Sequence, residues 1–174
     1  MSSSPGIHEC HRERFETEAC RSSMAHTIRQ ATVDDVEQLA PLFDAYRRVY
    51  GRTSDVAAAR TFLLARFANR ESTLSIAHQG DAAIGFAQLY PSFSSVSLAR
   101  IFILNDLFVQ EQARRAGVAS SLLSAAATFA ISLGAVRLSL STTLTNDAAQ
   151  ALYRSVGWTR DEQFAVYHLA LPAA

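Results

Sequence analysis

Apolar positions recur along the chain with two periods, and the switch between them marks out the elements. Residues 27–31 alternate as a short strand. Val36, Leu39, Ala40, Phe43 and the Tyr46/Arg47 pair then recur at helical spacing. Thr32 is placed to cap this helix, and Asp34 and Asp35 sit in its first turn, where carboxylates suit the positive end of the helix dipole. Gly51 ends it, and Ser54-Asp55 opens a second helix through Ala58, Phe62, Leu63, Leu64 and Phe67. Here the period falls to two. Residues 73–79 and 82–90 read as strands around the Gly80-Asp81 turn, and Pro91 begins a loop that runs to Ser95. The run 98–109, rich in Ile, Leu, Phe and Val, predicts a long strand buried on both faces. A helix follows to about Leu133, with Gly134 as its stop. Beyond it come a strand over 136–141, a helix over 146–155 and a last strand over 164–171.

The order β-α-α-β-β-β-α-β-α-β predicts an α/β fold: a mixed, twisted sheet of six or seven strands flanked by helices. The helix of residues 115–133 is long enough for a parallel crossover. No internal repeat interrupts it, and 174 residues with 49% apolar composition suit one well-cored domain over residues 25–174.

Residues 1–24 are polar, mixed in charge and without period, so they are expected to be a disordered tail. Met24 is a candidate start of the chain. His8, Cys10, His11 and Cys20 carry zinc-ligand chemistry, but their spacing does not pair them as a closed zinc site requires, and no metal is expected. Both cysteines lie in this tail. A core disulfide and a core cysteine nucleophile are therefore excluded.

Composition removes further classes. All 16 basic side chains are arginine, so neither a Walker A phosphate loop nor a pyridoxal Schiff base has its lysine. The formal net charge of zero offers no global field for a polyanion, so nucleic acid is not the expected partner. No apolar run reaches the roughly 18 residues of a membrane helix, and the N-terminus lacks the apolar core of a signal peptide. A cytoplasmic protein without a membrane partner is expected.

The turn Arg114-Arg115-Ala116-Gly117-Val118-Ala119 joins the long strand to a helix. Its small residues and glycine let unpaired backbone N–H groups approach an anion. It does not match G-x-G-x-x-G, so a Rossmann dinucleotide site is not indicated. Arg114-x-x-Gly117-x-Ala119 is similar to the R/Q-x-x-G-x-G/A motif of the GNAT superfamily of N-acetyltransferases. Asn146-x-x-Ala149-x-x-Leu152-Tyr153-x-x-x-Gly157-Trp158 resembles that superfamily's N-x-x-A-x-x-L-Y-x-x-x-G-F/W segment. The resemblance covers essentially all of residues 25–174.

The resemblance implies a fold with strands splayed at the cofactor site, and acetyl-CoA as co-substrate. The turn from Arg114 to Ser120, including Arg115, Ala116, Gly117, Val118 and Ala119, would hold the pyrophosphate. The backbone of Leu107, Phe108 and Val109 would pair with the pantetheine arm, and Asn146 would contact the cofactor. Tyr153 resembles the acid that protonates the departing thiolate; its plain alternative is a helix tyrosine packed on a strand. Asn105-Asp106-Leu107-Phe108-Val109 resembles the E-D-hydrophobic-hydrophobic-V strand of the polyamine acetyltransferases, with Asn where a base would stand.

An amide cannot act as a base, so Asp106 is the candidate that draws in or deprotonates an amine, and Asn105 the one that orients it. Neighbours on a strand face opposite sides unless a bulge intervenes. Tyr46, Tyr50 and Tyr90, together with Tyr167, lie on elements that line the acceptor side in this superfamily, whereas His78, His168 and Glu111 read as ordinary strand and loop residues. The implied activity is direct acetyl transfer to a primary amine: a polyamine, a lysine side chain or another small amine, in the manner of the histone and polyamine branch. An acyl-CoA-binding regulatory module of the same fold is the alternative, and a structural α/β protein a second. A homodimer pairing through residues 164–171 is expected by analogy.

Overall fold

A computed structural model describes residues 25–172. The expectations for the tail, for Met24 and for the Cys/His group lie outside these residues. Two compact units are formed, the first ending at Ser141 and the second beginning at Thr142.

In the first unit, β1 (Thr27–Gln30) leads through a single 3-10 turn at Val33–Asp35 into α1 (Val36–Val49), followed by α2 (Val56–Asn69). The Asp35 carboxylate fixes the entry to α1. It accepts the Thr32 backbone N–H at 2.8 Å and a two-point bond from the Arg29 guanidinium, which holds its pKa down to about 2. Asp55 caps α2 by accepting the Ala58 N–H at 2.8 Å. Buried Asp44 ties the two helices together by accepting from the Ser54 hydroxyl and the Asp55 N–H, both at 2.7 Å.

The strands β2 (Thr73–Gln79), β3 (Ala82–Ser94) and β4 (Ala99–Val109) follow. After a 3-10 turn at Glu111–Ala113 come α3 (Val118–Ser132) and β5 (Arg137–Ser139). The sheet order is β1-β2-β3-β4-β5, antiparallel except for β4 and β5, which α3 joins as a parallel crossover. α1 and α2 bury Leu39, Leu42, Phe43 and Leu63 against Leu74, Ile76, Phe86 and Phe108 on one face. α3 packs against all five strands through a stripe that includes Leu122, Ala126 and Ala130.

Three expectations need correction. β3 continues through Pro91 to Ser94, because beyond Leu89 the strand has no β2 partner on one edge, and proline's missing N–H leaves no ladder bond broken there. β4 is not buried along both faces: Ile103 and Asn105 are exposed. The sheet among the described residues has five strands rather than six or seven. β5 is three residues long, and residues 164–171 form no ladder, with Phe164, Val166, Tyr167, Leu169 and Leu171 all exposed. Alternation alone makes no strand where no edge pairs with it and no face is buried.

The second unit contains α4 (Asp147–Ser155), capped by the Asn146 side chain, which accepts the Ala149 N–H at 3.2 Å. Gly157, at φ +90°, turns the chain back so that the Trp158 N–H bonds the Tyr153 carbonyl.

Candidate active site

The site is best built outward from β4. Its pairing with β5 covers only Ile101–Ile103, so no described strand meets the β5-side edge from Leu104 to Val109. Backbone N–H and C=O groups on such an edge are a template for an extended, amide-bearing ligand. The Phe108 side chain is not part of that edge. It is buried in the α1/α2 core, so what this residue can offer a ligand is its backbone.

Where β4 ends, the chain makes the expected glycine turn. Arg115 (φ +63°) and Gly117 (φ +79°) are both left-handed, and Gly117 is the N-cap of α3. The first helical N–H groups of α3 have no intrahelical acceptor and are available to an anion. Arg114 bends back so that its Nε–H donates to the Val109 carbonyl at 3.1 Å, fastening the turn to the end of β4. His26 sits beside Gly117, with its Nε2 2.8 Å from the Ser121 hydroxyl in the helix's first turn. The open edge and the turn together could hold a pantetheine diphosphate: an amide-pairing edge running into a helix N-terminus.

On the α1/α2 face, β4 carries an irregularity. Gln88 pairs with Asp106 but Leu89 with Leu104, so Asn105 is an extra residue in β4. The bulge removes the opposite-face constraint on neighbours. Asn105 reaches the Asp106 carboxylate, with its Nδ2 3.1 and 3.2 Å from the two oxygens. Asp106 is buried, at 5% exposure, and burial raises its pKa above the ordinary carboxylate value, against the opposing hydrogen bonds from Asn105 and Tyr46.

Tyr46, from α1, is packed among the rings of Phe43, Phe86, Phe108 and Tyr50. Burial, then the charge of Asp106, pushes its phenol far above the usual value, so it stays a donor. Tyr90 is half-buried on β3, and its phenol is raised by burial and then by Asp106. The structure thus brings Asn105, Asp106, Tyr46, Tyr50 and Tyr90 together. Tyr153 and Asn146 belong to the second unit, where Tyr153 is half-buried with its ring centroid 6.2 Å from that of Trp158.

Sequence reasoning missed Gln88. It is fully buried, donates from Nε2 to the Ser72 hydroxyl at 2.6 Å, and leaves its Oε1 without a donor. A lone amide in the apolar run 82–89 was the available signal. A buried acceptor left unsatisfied costs roughly 1–3 kcal/mol.

The sequence profile of the acetyltransferase (GNAT) family matches residues 37–158. The "uncharacterized N-acetyltransferase YhfO" of Bacillus subtilis is 48% identical over 146 residues, covering 84% of this chain and 98% of that protein. A "probable acetyltransferase" of Haemophilus influenzae is 33% identical over 141 residues, covering 79% and 92%. The crystal structure of a "probable acetyltransferase" superposes with a TM-score of 0.80 at 43% identity, covering 85% of this chain and 99% of that one. The profile runs over the splayed strand, the glycine turn and the helix that bears Tyr153, and the chain belongs to the acetyltransferase (GNAT) family as an acetyl-CoA-dependent N-acetyltransferase.

Proposed function

We propose that the protein moves an acetyl group directly from acetyl-CoA to a primary amine, with Asp106 as the proton acceptor for that amine. The observation that carries this reading is a buried carboxylate of raised pKa on the bulge of β4, beside the strand edge that fits the pantetheine arm. The family profile crosses the boundary between Ser141 and Thr142, which supports treating residues 25–174 as one transferase domain.

Bound acetyl-CoA supplies an activated acyl thioester. The backbone of Leu107, Phe108 and Val109 holds its pantetheine amides. The turn from Arg114 through Arg115, Ala116, Gly117, Val118, Ala119 and Ser120 would hold its diphosphate, and Asn146, by its place in the family motif, would contact the cofactor. At pH 7 an amine arrives mostly as ammonium. Asp106 attracts this cation and removes one proton, a task suited to a carboxylate whose pKa lies closer to neutrality than usual. Asn105 keeps the carboxylate oriented, and Tyr46, Tyr50 and Tyr90 form the aromatic wall along which the acceptor lies. The freed lone pair forms the C–N bond as the C–S bond breaks. Tyr153, by its place in the family motif, donates its phenolic proton to the departing sulfur.

Thiol release from acetyl-CoA, followed with polyamines, aminoglycosides, amino acids and lysine peptides, tests the reading. Amine-dependent release lost in Asp106→Asn is the expected outcome. Acetyl-CoA binding with no amine-dependent release would support the regulatory module instead.

A further inference from the structure

The face of the sheet that presents Asp106 carries a second charged group that the transfer chemistry leaves unused. Leu74, Gln88 and Asp106 form one row across β2, β3 and β4. Tyr90, two residues beyond Gln88 in β3, stands on the same face, and Ser72 immediately precedes β2. Gln88 bonds Ser72, and the neighbouring Glu71 meets Arg66 of α2, with Oε2 2.6 Å from Nε. The Nε–H is not aligned on that oxygen, so the contact is an ion pair rather than a directed hydrogen bond. The Arg66 guanidinium also lies over the Phe62 ring at 4.6 Å, and its side chain is about a quarter exposed.

An arginine held on one edge by a carboxylate and on one face by a ring has lost much of its rotational freedom. Among the described residues its terminal nitrogens have no further hydrogen-bond or ion-pair partner. Such a fork is shaped for two-point contact with a carboxylate. Burial and then the charge of Asp106 raise the Tyr90 phenol, with Arg66 acting against them. Gln88 stands beside Asp106 in that row and bonds Ser72, so the Glu71/Arg66 pair borders the β2 end of the row while Asp106 stands at its β4 end, an arrangement suited to an acceptor with an amine at one end and a carboxylate at the other.

We propose that Arg66 is a specificity-determining residue that binds a carboxylate on the acceptor, so that the substrates are amines carrying a carboxylate at the far end of the molecule. This rests on the reading of Asp106 as the amine's proton acceptor. The two ends of the acceptor are then read separately: the ammonium by Asp106, the carboxylate by Arg66.

The experiment compares kcat/KM for 6-aminohexanoate and hexylamine, which differ in the terminal carboxylate, and for lysine and cadaverine, which differ in the same way. The wild-type protein is expected to prefer the acid of each pair by about tenfold or more, the range of one charge-assisted contact. Arg66→Gln brings both ratios close to one. Arg66→Lys, which keeps the charge and loses the fork, leaves intermediate ratios, and thermal melts establish that both variants fold. Equal rates within each pair for the wild type, or ratios that Arg66→Gln leaves untouched, would overturn the proposal while leaving amine transfer standing. Absence of thiol release with every amine would overturn the transfer reading and this one with it.

Discussion

Two carboxylates show how burial and pairing set opposite pH behaviour. Burial raises the pKa of Asp106, so between the ordinary carboxylate value and that raised value the folded chain binds a proton the unfolded chain has lost. Its contribution to stability therefore falls as pH rises through this window. Above the window Asp106→Asn should raise the melting temperature, because a carboxylate whose burial outweighs its hydrogen bonds from Asn105 and Tyr46 is removed, while kcat/KM drops by roughly 10²–10⁴-fold through loss of the base. The acid limb of the wild-type pH–rate profile should lie above the ordinary carboxylate range, and a limb at or below it would contradict the assignment. Asp35 is the reverse case. Its pKa is lowered from 3.8 to about 2, so its stabilisation is present above 3.8 and is lost as pH falls toward 2. Arg29 is half exposed and solvent-screened, so Asp35→Asn should cost about 1 kcal/mol at pH 7 by denaturant titration, and progressively less as pH falls through 2. The residues in the site were legible only in part. Asp106 and Asn105 stood out by motif, but their shared orientation depends on a bulge that one-dimensional alternation does not show. Gln88 comes beside Asp106 and Ser72 through cross-strand register and side-chain contact, which bring together positions far apart in the chain.

At the level of elements, two glycines carry geometry that no other residue reproduces. Gly117 has open space where a Cβ would stand, with only His26 at 3.9 Å, so Gly117→Ala is limited by its left-handed backbone, a strain of about 1–2 kcal/mol. If the turn cradles the diphosphate, calorimetry should show acetyl-CoA affinity falling several-fold with little change in the acceptor's KM. Gly85 is different. A Cβ there would lie 2.6 Å from the Phe108 carbonyl oxygen, so Gly85→Ala must push β3 and β4 apart where the open edge ends, at Val109. A loss of roughly 1–3 kcal/mol in stability is expected, together with weaker cofactor binding. The helices and the glycine turn were readable because caps, periods and stop signals are local. Residues 164–171 were misread as a strand because their alternation is real, whereas pairing depends on an edge that the local sequence does not encode.

For the whole molecule, the confinement of cysteine to residues 1–24 and the absence of lysine restrict the path of the acetyl group. With no core thiol to carry it, transfer should pass through a ternary complex, and initial-rate plots should intersect rather than run parallel. With no lysine side chain, the protein offers only its N-terminal amine to its own activity. The most direct measurement follows from this: acetyl-CoA labelled in the acetyl group is mixed with the enzyme and an excess of amine, and the label is traced through one turnover. The label should be recovered on the amine with an equal amount of free CoA thiol, and the protein itself should remain unlabelled. Label retained on CoA in the presence of every amine, or lodged on the protein before it reaches the amine, would contradict direct transfer.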